Sequence, residues 1–165
     1  DPYYYVSGYQ GTDVVDAQDT DNYETYGVLY NWPAVMTEGI CPSGWHIPSD
    51  GEWQTMEMSL GMSEAEAASE GWRGSPVGDY MKSTSGWNSN DGNGNGSNSS
   101  GFDGRPGGYA FIAGFIDGGE FGYWWSSSAS GSSSAWRRKL WGFYDNVERT
   151  NYVRSYGFSA RCVRD

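Results

Sequence analysis

Gly122-Tyr-Trp-Trp-Ser-Ser-Ser128, the aromatic and basic run from Trp136 to Tyr144, and the closing Gly157-Phe-Ser-Ala-Arg-Cys162 decide the fold of this chain. Around them, Tyr109 to Ile116, Tyr123 to Ser127, Ala135 to Phe143, Val147 to Val153 and Phe158 to Val163 read as short strands joined by turns. The segments between these strands are too short to hold crossover helices, so the sheet is expected to be mainly antiparallel. Large flat side chains alternate there with Ser, Gly, Asn and Arg. That is the composition of a surface that grips partners through rigid aromatic anchors and adaptable hydrogen-bonding groups. Residues 108–165 therefore read as a sheet displaying a binding face, and residues 1–107 as its scaffold, the two forming one domain.

Upstream, Cys41-Pro-Ser-Gly-Trp-His-Ile-Pro48 is stiffened by two prolines and runs into Ser49-Asp50-Gly51-Glu52. Those four residues form a capping box, in which hydroxyl and carboxylate each satisfy an exposed backbone amide. A helix is expected from Asp50 to Leu60, with Trp53, Met56 and Leu60 on one face and Gly61 as its stop. Ser63 to Glu66 repeats the device and predicts a second short helix ending near Gly71. Ser83 to Gly101 is a Gly, Asn and Ser-rich loop anchored by Trp87. At the start of the chain, Tyr3, Tyr5, Val6, Val14 and Val15 suggest a strand, and the acidic stretch Asp16 to Glu24 a solvated loop. Gly27 to Trp32 reads as a buried strand or short turn.

Composition sets limits on function. The 165 residues are 17% aromatic with 25 Gly, so bulk comes from Trp and Tyr, and turns should outnumber helices. A net charge of -11 argues against nucleic acid as a partner, since phosphate binding needs basic surface. The charge is unevenly spread: residues 1–72 hold 13 Asp plus Glu and no Lys or Arg, whereas residues 136–165 hold 7 Lys plus Arg against 3 acids. Either the basic end packs beside the acidic beginning, or it offers charge to a ligand. No apolar run approaches the roughly 20 residues needed to cross a bilayer, so membrane insertion is not expected, and no signal peptide is evident. Cys41 and Cys162 are either buried thiols or, the favoured reading, a disulfide that places the chain in an oxidising, extracellular setting.

Taken together, Tyr26-Gly-Val-Leu-Tyr-Asn-Trp32, Cys41-Pro-Ser-Gly-Trp-His-Ile-Pro48 with Glu52-Trp53, Ser100-Gly-Phe102, Pro106-Gly-Gly108, Tyr123-Trp-Trp-Ser-Ser127 and Gly157-Phe-Ser-Ala-Arg-Cys162 resemble the Fibrobacter succinogenes major paralogous domain. This is a group of bacterial surface domains related to the formylglycine-generating enzyme fold, and the likeness spans nearly the whole chain. The resemblance implies an α+β, C-type-lectin-like fold: two helices on a small antiparallel sheet, long loops, and termini close together, which supports the Cys41–Cys162 disulfide. It further implies kinship with variable proteins of diversity-generating retroelements, whose C-terminal region is rewritten to vary ligand binding. The Ser, Tyr, Asn, Asp, Arg and Trp-rich segment between Trp125 and Gly157 is similar.

The resulting expectation is a non-enzymatic, surface-displayed recognition domain on a cell or virion, binding a protein ligand or receptor on another cell. The candidate contact residues are Trp136, Arg138, Trp141 and Phe143 on a strand, with Tyr144, Asp145, Asn146, Asn151 and Tyr152 on neighbouring turns and strands. A glycan ligand is the alternative. No cofactor is required; calcium is possible at Asp91, Asn93 and Asn95, which alternate as in the opening of an EF-hand loop, although position 102 is Phe where a bidentate Glu belongs. An Asn/Gly-rich turn is the preferred reading there. His46 is the single histidine and reads as a structural imidazole rather than a base. Trp124 and Trp125 point to opposite faces, so at least one belongs to the core. An oxidase like the formylglycine enzymes would need free active-site thiols, which makes it the weakest reading.

Overall fold

The computed structural model describes residues 1–89, 94–112 and 114–165. It opens on a two-residue strand, β1 (Tyr4–Tyr5). Val14 and Val15 do not extend it. They begin a helix, α1 (Val14–Gln18), because the Asp13 carboxylate accepts from the amides of Val15 and Asp16 at 2.8 and 3.2 Å. That cap outweighs the strand preference of two β-branched residues. A second helix, α2 (Asp21–Tyr26), starts where Thr20 accepts from the Tyr23 amide at 3.2 Å. The acidic stretch is thus helical rather than looped, with Asp16, Asp21 and Glu24 in first turns where the helix dipole favours them.

Strand β2 (Leu29–Tyr30) leads into α3 (Trp32–Val35), capped by Asn31, and β3 (Trp45–His46) precedes the two helices expected from the capping boxes. These are α4 (Asp50–Ser59) and α5 (Glu64–Ala68), and both boxes are complete. Helix α5 stops short of Gly71 because the chain there becomes β4 (Gly71–Arg73). A further short helix, α6 (Val77–Met81), enters the long loop. Trp87 anchors that loop, its Nε1 donating to Ser83 Oγ and the Gly104 carbonyl, each at 3.0 Å. Gly142 meets the loop on the far side, where a Cβ would collide with the Asn88 carbonyl.

The remaining strands are β5 (Tyr109–Phe111), β6 (Gly114–Ile116), β7 (Phe121–Ala129), β8 (Ser134–Trp141), β9 (Val147–Val153), β10 (Phe158–Ser159) and β11 (Val163–Arg164). The single strand expected over 109–116 is a hairpin, and the one expected over 158–163 divides in two. After β10 the chain leaves the main sheet so that β11 can pair with β3. The main sheet has the order β1-β2-β10-β7-β8-β9-β4; β10 runs parallel to β7 and the other pairings are antiparallel. Strands from the scaffold portion, β1, β2 and β4, share this sheet with those of residues 108–165. The fold is α+β.

Trp124 and Trp125 do face opposite ways, and both are core. Trp124 packs with Trp53, Met81, Trp87, Leu140 and Val147, on the sheet face covered by α4. Trp125 packs with Val35, Ile47, Ala135 and Phe158 on the other. The Cys41–Cys162 disulfide is present, with a Cα–Cα distance of 5.8 Å, and joins the segment before β3 to the one before β11. No helix among the described residues is long and apolar enough to cross a membrane.

Candidate functional site

Side chains alternate across a strand, so register assigns every residue of β7, β8 and β9 to one face or the other. Trp124 pairs with Arg138, and Arg138 with Arg149, which puts these three on the helix-covered face. There Arg138 Nε lies 2.6 Å from Glu57 Oε1 and its Nη1 2.7 Å from Asp50 Oδ1. Arg149 reaches Asp50 at 2.7 Å and Arg73 reaches Glu57 at 2.6 Å. The guanidinium of Arg138 is fully buried. For Arg138 and Arg149, the basic end of the chain therefore does pack against the acidic beginning, with α4 supplying the acids.

The other parity builds a ring-rich face. Phe121 and Tyr123 of β7, Arg137, Lys139 and Trp141 of β8, Glu148 and Tyr152 of β9 and Trp72 of β4 share it. Trp141 stacks on Phe121 at 5.0 Å and 15°, lies 6.3 Å from Trp72, and takes Tyr144 edge-on at 4.6 Å. The Lys139 ammonium sits 4.9 Å from the Trp72 ring centre and 5.3 Å from that of Phe121. The Arg137 guanidinium lies 5.1 Å from both Tyr123 and Tyr152. Such contacts between cations and ring faces are favourable and hold both parts in place. Tyr144 and Tyr152 remain 44% and 37% exposed, so the patch opens to solvent.

Electrostatically the face carries two cations and two acids. Glu148 Oε2 lies 3.1 Å from Arg137 Nη1 and 3.2 Å from Lys139 Nζ. Asp117 accepts from the Tyr123 hydroxyl at 2.8 Å. Burial, reinforced by that bond, raises the Tyr123 pKa, and the phenol stays protonated. Burial lowers Lys139, against the opposing pull of Glu148. Arg137 Nη1 and Glu148 Oε2 are taken up by their ion pair, whereas the buried Arg137 Nε, Trp141 Nε1 and Asn146 Oδ1 have no hydrogen-bond partner among the described residues. Buried polar groups are normally paired, so their gathering on β8 and the turn that follows it marks bonding capacity that the fold itself does not use.

Of the residues expected to contact ligand, Trp141, Tyr144 and Tyr152 lie on this face. Phe143, 4.9 Å from Trp141, and the half-buried Asn146 lie on the β8–β9 turn beside it. Asp145 is on the same turn, its carboxylate 3.4 Å from Lys82 Nζ. Three do not belong. Arg138 is spent on Asp50 and Glu57; Trp136 and its register partner Asn151 share the Arg138 parity, with the Arg149 guanidinium 3.8 Å from the Trp136 ring centre. Sequence reading missed Trp72, Phe121, Tyr123, Arg137, Lys139 and Glu148. Counting in twos from Trp141 would have found Arg137 and Lys139.

Asp91 and Asn93, the first two calcium candidates, lie outside the described residues. Asn95 Oδ1 accepts from the Trp87 amide at 3.0 Å. Among the described residues, no group of three or more His, Cys, Asp or Glu could hold a metal ion. His46 sits apart from the ring-rich face, between Glu52 and Asp165 at 2.7 and 2.6 Å.

No curated protein and no solved structure matches the chain. The family model of the Fibrobacter succinogenes major domain, by contrast, matches residues 5–164, and the chain belongs to that family.

Proposed function

We propose that this chain is a C-type-lectin-like recognition domain, non-enzymatic and displayed outside the cell or on a virion, whose ring-rich sheet face binds a protein ligand. The observation that carries this reading is the coincidence, on one face that opens to solvent, of stacked rings, two cations set against those rings and the unpartnered Trp141 Nε1 and Arg137 Nε. Aromatic and Arg side chains of this kind dominate binding energy at protein interfaces. The architecture supports the fold assignment: two capped helices on one side of a largely antiparallel sheet, with a disulfide tying the segment before β3 to the one before β11. The disulfide also favours an oxidising location.

Alanine replacement of Trp141, Tyr144 and Tyr152 tests the reading against ligands recovered by display selection on the intact domain. Loss of binding by variants that remain folded, measured well below their unfolding transitions, supports it, and retained binding moves the site elsewhere. A glycan array, read with and without chelator, tests the alternative of a sugar ligand assisted by calcium. Diversification of the segment between Trp125 and Gly157 by a retroelement is a further part of the proposal. A near-repeat of this segment and a reverse transcriptase at the locus would support it, and their absence would remove it.

A further inference from the structure

A second concavity lies away from the ring-rich face, between α4, the 100–102 turn and the segment leading into β11. It encloses about 280 Å³ and is walled by Pro48, Trp53, Met56, Phe102 and Val163, with Glu52 and Arg161 as its charged members. The walls are fixed by packing: Phe102 meets Trp53 edge-on at 5.5 Å and Trp124 at 5.2 Å.

One charged group in this recess has bonding capacity to spare. Arg161 lies over Phe102 at 5.1 Å and makes one hydrogen bond, a long one of 3.3 Å from Nη2 to the Asp103 carbonyl. No carboxylate lies within ion-pairing distance of it among the described residues, because the Asp103 side chain is taken by Arg105 at 2.9 Å. The neighbouring Glu52 is no counter-charge either, since its Oε2 accepts from Ser49 at 2.8 Å and its Oε1 faces His46 at 2.7 Å.

An apolar slot edged by a guanidinium that has no carboxylate partner among the described residues is complementary to one kind of molecule. We propose that this recess binds a small aryl or branched-alkyl carboxylate, its apolar body between Trp53, Met56, Phe102 and Val163 and its carboxylate on Arg161. Arg offers a planar fork of donors matched to a carboxylate. The size is right: a dry cavity of about 150 Å³ holds benzene, so 280 Å³ leaves room for a ring and a carboxylate.

Phenylacetate and its neutral isostere phenylacetamide serve as probes, read by ligand-observed NMR and calorimetry on the intact domain. A ligand of this size should bind with a dissociation constant on the order of 1 mM, and the amide about tenfold more weakly. Arg161→Gln should remove the preference for the acid. Met56→Trp, which fills the slot, should abolish binding of both while the unfolding transition is kept. Equal affinity for acid and amide, a preference that survives Arg161→Gln, or no binding at millimolar phenylacetate would each overturn the proposal. Trp141→Ala should leave phenylacetate binding unchanged, so this site and the ring-rich face stand or fall separately.

Discussion

Arg138 and Glu57 meet at 2.6 Å with both side chains fully buried, pinning the middle of α4 to the centre of the sheet. Glu57 also holds Arg73, and Asp50 holds Arg138 and Arg149, so three cations are balanced by two carboxylates. Removing one partner from such a pair leaves a desolvated charge with nothing to answer it. Glu57→Ala, which strands Arg73 and half of Arg138, is expected to cost about 3–5 kcal/mol, measured as a shift in the urea midpoint. Arg138→Met leaves no carboxylate wholly unpaired and should cost less. Because Arg138 lies beneath the sheet, neither change should act on a ligand through direct contact.

The same residue shows where sequence reading stops. Both capping boxes were legible, because Ser49 with Glu52 and Ser63 with Glu66 carry their partners within four residues. The bounds of β9 were legible as well, since an alternating run there is flanked by turn residues. The helices after Asp13 and Thr20 were hidden: they are short, polar and held by single caps, while Val14 and Val15 spoke for a strand. For the candidate face, the composition pointed to β8 and β9 but not to which of their two sides carries the open rings. Trp136 and Arg138 share one parity and Trp141 the other, and only the position of α4 decides which parity is covered. That contact joins residues about 80 apart in sequence, and no local pattern encodes it.

The disulfide closes a span of 121 residues. In the chain-entropy model a loop of that length contributes about 5 kcal/mol by restricting the unfolded chain, with measured values often lower. Replacing both Cys41 and Cys162 with Ser should lower the urea midpoint with a small change in its slope. Thiol titration of the unreduced, denatured protein should find no free thiol.

His46 is expected to act as a pH-dependent clasp. Both ring nitrogens face carboxylate oxygens, Nδ1 that of Asp165 and Nε2 that of Glu52, so only the imidazolium can donate to both. The bond to Asp165, then that to Glu52, raises the histidine pKa above its ordinary 6.5. The stability it adds is therefore present in full below 6.5 and is lost as pH rises through the higher folded value. Glu52 is pulled from 4.5 down to about 2, first by the Ser49 hydroxyl and amide and then by His46. Its contribution is present above 4.5 and is lost as pH falls toward about 2. The melting temperature of the wild type should exceed that of His46→Gln most between these limits, and the difference should vanish in alkali. His46 is the only histidine, so its ring proton can be followed by NMR without assignment; Asp165→Asn should bring its titration back toward 6.5.

Trp136 and Trp141 lie five residues apart on one strand, and their substitution should separate folding from recognition. Trp136 backs Arg149, whose guanidinium is 3.8 Å from the ring centre while also bonded to Asp50. Trp136→Ala removes a contact worth about 0.5–2 kcal/mol and loosens the buried ionic cluster, so it should lower stability. Trp141 instead stacks on Phe121 and supports Tyr144, at the centre of the open patch. Trp141→Ala should also cost some stability, since the ring is half-buried, but its main effect should be at least a tenfold loss in affinity for a protein ligand that engages this face. Trp136→Ala should leave that affinity within about twofold once measured well below its unfolding transition. If instead Trp136→Ala abolishes binding and Trp141→Ala does not, the ligand docks on the helix-covered side near the Trp136 edge, and the ring-rich face is a packing surface rather than a site.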